Sequence, residues 1–196
     1  MTDQELRWER VSTKHLIQDK WIDFRSRAYR LPDGNVYEPY YSYSRRSYVV
    51  VVASDNEGNF ICVRQFRYGI EEVTTEFPAG GIERDGDTEY ATATSIHAEE
   101  ALDAARRELL EETGYRSEDW ELLMKIPSLA TIADNYAYIF RAKNCICEDV
   151  QHLDLGEFVR VEKKSAEEID ALIREEKFQQ AMHVMAWLYC RQEGKL

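Results

Sequence analysis

Basic residues are scarce in this sequence. Its 196 residues carry 37 Asp and Glu against 25 Lys and Arg, a formal net charge of −12. Nonspecific attachment to nucleic acid or to an anionic membrane needs a basic surface, so neither is expected as a partner. A phosphate-bearing substrate would need local arginines or a metal ion to overcome this field. Long apolar runs are missing as well: none approaches the roughly 20 residues of a membrane span. The opening MTDQELRWER is too polar for a signal peptide. Cysteine is sparse, with four residues at 62, 145, 147 and 190. Only Cys145 and Cys147 are close, and a C-x-C without a second ligand pair argues poorly for zinc. The four read as reduced thiols of a cytoplasmic protein. Prolines number only four, and no linker or repeat interrupts the chain. At 44% hydrophobic and 12% aromatic residues, the composition is that of one globular domain, with room for a small accessory subdomain.

What is present begins with β-structure. DFRSRAYRLPDGNVYEPYYSYS places two extended segments around a Pro-Asp-Gly turn. SYVVVVASDNEGNFICVRQFRY repeats the pattern around Asp-Asn-Glu-Gly, and EEVTTEF adds a short strand broken by Pro78-Ala79-Gly80-Gly81. A long helix is predicted from about Ser95, as its N-cap, to Thr113, with Gly114 as the left-handed stop. Ala98, Ala101, Leu102, Ala105, Leu109 and Leu110 form its apolar side. ELLMKI, NYAYIFRA and EFVRVEKK read as later strands. Ser165-Ala166-Glu167-Glu168 is a capping box opening a helix through Arg174. A last helix, about 179 to 191, is expected to pack through Ala181, Met185, Leu188 and Tyr189. Strands and helices interleave without regular βαβ alternation, so the expected fold is a mixed β-sheet flanked by helices.

The stretch ARRELLEETGY, residues 105–115, carries the chemistry. At 100° per residue, Glu111 lies roughly 60° behind Glu108 and Glu112 roughly 40° ahead of it, so all three share a helix face. Like charges at i,i+4 cost an isolated helix about 0.2–0.5 kcal/mol. A hard divalent cation offsets that repulsion, because clustered carboxylates suit Mg²⁺ or Mn²⁺ rather than a soft metal.

Residues 107–115, RELLEETGY, resemble the second half of the Nudix box, R-E-U-x-E-E-x-G-U with U apolar. All seven defined positions match, and Glu99 stands the expected eight residues before Arg107. The resemblance implies an α/β Nudix fold, a mixed sheet in an α/β/α sandwich. It implies glutamates that hold divalent cations, Mg²⁺ or Mn²⁺, for hydrolysis of a diphosphate joined to another moiety. The box normally opens with a glycine six residues before its first Glu, but position 93 is alanine. The matching glycine lies upstream in EFPAGGIE, residues 76–83, which resembles the E-L-P-A-G-x-I-E opening of the ADP-ribose pyrophosphatase branch. Between Gly80 and Glu99 lie 18 residues where the box has five, so about 13 are inserted within DGDTEYATATSIHA.

The resemblance to that branch, the ADP-ribose and nucleoside diphosphate sugar pyrophosphatases, covers nearly the whole chain. Leu31-Pro32-Asp33-Gly34, Val63-Arg64-Gln65-Phe66-Arg67 and the stretch Gln151 to Val159 match its other motifs in order. It implies an N-terminal antiparallel β-subdomain, 1–45, that joins a homodimer, followed by a Nudix hydrolase domain, 46–196. Metal ligands would be Glu108, Glu111, Glu112 and the Ala79 carbonyl. Catalysis would fall to Glu111, Glu112 and Glu157, with the general base open among Glu157, a box glutamate and a metal-held hydroxide. Arg67, Arg46 and Glu76 would contact substrate. Glu99, Arg107 and Gly114 would be structural in the box, Arg107 pairing with Glu99 or another helix carboxylate. Leu155 stands where the branch has a second loop glutamate. Pro127-Ser128-Leu129-Ala130 lacks the branch's Pro-Gly, which leaves ADP-ribose one candidate among the nucleoside diphosphate sugars. The tyrosines at 37, 40, 41 and 43 read either as strand packing or as a stacking surface for the base. The alternative to a hydrolase is a Nudix-fold nucleotide sensor that binds without turnover.

Overall fold

The computed structural model describes residues 1–83, 97–153 and 155–195. Its contacts divide the chain into two units. The first is built from residues 1–47, Glu83 and 127–136, and the second from 48–82, 97–126 and 137–195. The inserted stretch and the proposed cap Ser95 fall outside the described residues.

In the first unit β1 (Glu9–Gln18), β2 (Asp23–Arg30) and β3 (Val36–Ser44) form an antiparallel sheet in that order. The Pro-Asp-Gly turn joins β2 to β3, closed by the Leu31 amide on the Asn35 carbonyl at 2.8 Å. Strand β1 has no counterpart in the sequence reading. Every one of its ten residues is exposed, so no buried side chain imposes the period-two pattern by which strands are recognised. The tyrosines pack mainly with neighbouring rings: Trp8 meets Tyr29, Tyr37 and Tyr40 edge-on, and Tyr41 stacks on Phe24. Beneath them, Arg25 donates to Ser44 Oγ at 2.6 Å and to Asp134 at 2.8 Å.

The second unit is built on a mixed sheet. Its main path runs β11 (Arg160–Lys164), β5 (Phe60–Arg67), β4 (Tyr48–Asp55), β10 (Tyr136–Cys147) and β8 (Tyr115–Arg116). Beside it, β6 (Glu72–Glu76) pairs with β5, β7 (Ala79–Gly81) with β4 and β9 (Asp119–Pro127) with β10. Strands β4 and β10 run parallel, with Tyr48–Ala53 facing Ala137–Ala142. Strand β7 corrects the sequence reading, in which Pro78–Gly81 only broke a strand. Pro78 ends β6, but the next three residues pair with Tyr48–Val50 and bring the glycines onto the sheet.

Four consecutive valines, Val49–Val52, are buried on both faces of β4. Val50 and Val52 join a core with Phe60, Phe77, Ile139, Ile169, Phe178 and Trp187. Side chains alternate along a strand, so Val49 and Val51 turn to the opposite face, where α1 (Ala98–Thr113) packs on β4 and β7. Helices α2 (Ala166–Arg174) and α3 (Ala181–Gln192) cover the first face. Ser165 caps α2 through the Glu168 amide, while Glu168 returns a bond to the Ser165 amide at 2.7 Å.

Two helix details differ from expectation. Helix α1 opens at Ala98 with His97 as N-cap, its amide bonded to Glu100 at 2.6 Å. Helix α3 buries His183, Ala186, Trp187 and Cys190, an i, i+3, i+4, i+7 stripe, while Leu188 faces outward and Ala181 is exposed. Met185 packs against the core as expected, but the buried stripe runs through His183 and Trp187, which a count of aliphatic residues and Tyr passes over.

Candidate active site

The site is a seam between α1 and the strand–loop–strand from Glu76 to Gly81. Three consecutive backbone positions meet three helix side chains. The Ala79 amide donates to Glu112 Oε2 at 3.0 Å. Gly80 lies against the Glu108 carboxyl group, in the space that a Cβ at this position would fill. The Gly81 carbonyl accepts from Arg107 Nη2 at 2.9 Å. Glycine at 80 is therefore what lets the Glu108 carboxyl approach the backbone this closely.

Arg107 also binds Glu108 Oε1 at 2.8 Å and Glu111 Oε2 at 2.7 Å. Its carboxylate partners are thus the box glutamates, and Glu99 is exposed in the first turn, roughly 12 Å along the axis. Gly114 ends the helix in the left-handed region, φ 74°, its amide on the Leu110 carbonyl at 2.7 Å.

The predicted apolar side of α1 includes two acids. Glu108 and Glu112 are buried, at 9% and 4% exposure. Burial pushes the Glu108 carboxyl up to about 7, against the pull of Arg107 and helped by the charges of Glu111 and Glu157. Burial likewise raises Glu112 to about 8, opposed by the Ala79 amide and reinforced by Glu108 and Glu157. Two carboxyls so placed need protons or a cation to share the space.

Glu157 is exposed between β10 and β11, and its charge reaches Glu108, Glu112 and Arg67. The segment before it is tied to the end of α1. The Gln151 side-chain amide donates to the Glu112 carbonyl at 2.6 Å and to the Val159 carbonyl at 3.1 Å. The His152 amide binds the Glu111 carbonyl at 2.9 Å. Sequence reasoning gave Gln151 no role, because a clamp on carbonyls leaves no residue-type signal.

Arg67, at the end of β5, forms a two-pronged ion pair with Glu76, which has no exposure to solvent. Burial would raise the Glu76 carboxyl, but Arg67, His183 and Thr74 outweigh it and hold the group below the ordinary carboxylate range. In the first unit, Arg46 pairs with Glu83 at 2.5 Å.

Among the described residues, no three His, Cys, Asp or Glu side chains already converge as a metal set. The donors nonetheless fit a hard cation. Glu108 and Glu112 offer oxygen donors whose mutual repulsion a divalent ion would relieve, and Gly80 makes the room that the Glu108 carboxyl occupies.

A family model described as the NUDIX domain matches residues 44–188. The chain belongs to the Nudix family. Among curated relatives, it is 28% identical over 170 residues to an ADP-ribose pyrophosphatase of Bacillus subtilis (strain 168), covering 83% of this chain and 81% of that protein. It is 30% identical over 149 residues to a methanol dehydrogenase activator of Bacillus methanolicus, covering 76% and 74%. The Nudix fold extends to a crystal structure of an ADP compounds hydrolase, with a TM-score of 0.77, 18% identity and 97% of each chain covered. No described helix is long and apolar enough to cross a membrane.

Proposed function

We propose that this protein is a metal-dependent hydrolase of the diphosphate bond in ADP-ribose or a related nucleoside diphosphate sugar, giving a nucleoside monophosphate and a sugar phosphate. The observation that carries this reading is the pair of buried carboxyls, Glu108 and Glu112, held against Ala79 and Gly80. The relative named an ADP-ribose pyrophosphatase supports the substrate class.

Glu108, Glu111, Glu112 and the Ala79 carbonyl would hold Mg²⁺ or Mn²⁺. Such ions neutralise diphosphate charge and lower the pKa of bound water. The Ala79 amide fixes one oxygen of Glu112, which leaves its other oxygen to turn toward the site. Arg107 orients Glu108 and Glu111 and ties both to the strand. Glu157 would accept the proton of an attacking water, a role that its exposure and its electrostatic reach of the box support. Arg67 offers its outer face to a phosphate or ribose, while Glu76 holds the guanidinium in place. Arg46 is assigned a substrate contact on the resemblance alone.

The boundary near residue 45, a homodimer joined through the N-terminal subdomain and a cytoplasmic location belong to the same proposal. The exposed strand β1, with Val11, Leu16 and Ile17 among its open side chains, is a surface that a second subunit would cover.

The deciding assay is phosphate release, coupled to a phosphatase, from ADP-ribose, GDP-mannose, UDP-glucose and dinucleotides with Mg²⁺ or Mn²⁺. One preferred substrate whose turnover is lost in Glu112→Gln supports the hydrolase. Binding of ADP-ribose without turnover of any substrate favours a sensor, the second reading. That reading draws on the relative named as an activator of another enzyme, and on Leu155, fully exposed where the branch has a glutamate.

A further inference from the structure

We infer that His183 of the last helix is a positioning residue for the metal site, acting through the backbone that carries Ala79 and Gly80. The inference builds on the metal-dependent reading above.

Phe77 and Pro78 lie between β6 and β7, and the segment from Phe77 to Ala79 is held by separate bonds. The Phe77 amide donates to His183 Nδ1 at 3.1 Å, the Pro78 carbonyl accepts from the Val51 amide at 2.9 Å, and the Ala79 amide binds Glu112. Pro78 has no N–H, so the amides of Phe77 and Ala79 are the only two donors here. His183 holds the first and a box glutamate the second. A shift at Phe77 is therefore carried through one residue to the contact that aims Glu112.

His183 is 3% exposed, and its ring stacks on Phe77 with 8° between planes. If filling were its only task, an aliphatic residue would pack there without the cost of burying an imidazole. The ring nitrogen faces a lone backbone donor, which would itself be left unsatisfied beside an apolar replacement.

The test compares His183→Leu, which removes the acceptor, with His183→Asn, whose side-chain oxygen replaces Nδ1. Mn²⁺ affinity is read by electron paramagnetic resonance without substrate, and kcat and KM are measured separately. His183→Leu is expected to lose about tenfold in Mn²⁺ affinity and at least about tenfold in kcat. KM is expected to stay within about threefold, because the box rather than the substrate contacts is displaced. His183→Asn is expected to restore most of the loss. A folded His183→Leu protein with unchanged Mn²⁺ affinity overturns the inference.

Should His183→Leu not fold, the wild-type chain still decides. Titration with Mg²⁺ is expected to shift the Phe77 amide and His183 ring resonances, and resonances that stay fixed to saturation overturn the inference. Wild-type protein that binds Mn²⁺ but hydrolyses nothing removes the hydrolase reading alone. A chain that binds no Mn²⁺ removes both.

Discussion

Arg67 Nε lies 2.8 Å from Oε1 and 3.0 Å from Oε2 of Glu76, a carboxylate with no solvent exposure. The two residues sit on neighbouring antiparallel strands, β5 and β6, offset along the ladder. One partner is sealed and the other is a third exposed, so the pair holds a cation at the surface from a charge beneath it.

Removing Arg67 strands that charge. Arg67→Ala is expected to destabilise the fold by about 3 kcal/mol, at the low end for a broken buried pair because Arg67 is partly solvated. Arg67→Met with Glu76→Leu is expected to recover most of the stability and none of the activity. Denaturant unfolding of Arg67→Met, Glu76→Leu and the double variant measures the coupling, and strictly additive losses would refute it.

Glu112→Gln separates folding from turnover. The amide oxygen still accepts from Ala79, while the buried negative charge disappears. We expect a loss of at least about a thousandfold in kcat, as for a group whose partners act as a unit. The metal-free variant should melt no lower than wild type at pH 8. Circular dichroism melts run beside the phosphate assay check both halves.

Gly80→Ala and Gly114→Ala are expected to fail differently. At Gly80 the new methyl meets only the end of the flexible Glu108 side chain, so the melting temperature should barely move while kcat falls by about a hundredfold. At Gly114 the methyl meets the Asp149 backbone carbonyl and φ is 74°, so stability should fall by about 2 kcal/mol or more. Similar stability losses in the two variants would contradict the yielding of the Glu108 side chain at Gly80.

The box glutamates make metal-free stability depend on pH. Glu108 and Glu112 hold their protons to about 7 and about 8 in the fold, against an ordinary value of 4.5. A group raised in this way adds stability at low pH and loses it as pH rises through the folded value. His183, lowered by burial to about 4, has the opposite slope below pH 6.5. Between pH 6.5 and 8.5, chelator-treated protein should therefore lose at most about 3 kcal/mol. Saturating Mg²⁺ should flatten that slope, and an equal slope with and without metal would count against the site.

The parts legible in sequence are those where residue type and position act together. Gly114 and Ser165 end and begin helices through their own local geometry, and the box glutamates declare themselves by spacing. The membership of Glu108 and Glu112 in the buried side of α1 was hidden, because a helical stripe is sought among apolar residues. His183 and Gln151 were hidden for a related reason. Their partners are backbone groups of distant segments, which leave no trace in neighbouring residue types. Strand β1 lacks a buried face altogether, and β7 is three residues long, with two glycines that read as a break.

The parallel pairing of β4 with β10 also governs the order in which the chain becomes safe. Val49–Val52 emerges from synthesis about 90 residues before its partner on one side, Tyr138–Arg141. Until then a run of four valines has one edge open, the kind of segment that pairs with another copy of itself. A nascent chain halted before β10 should therefore be prone to aggregate and to occupy chaperones, whatever the stability of the finished protein.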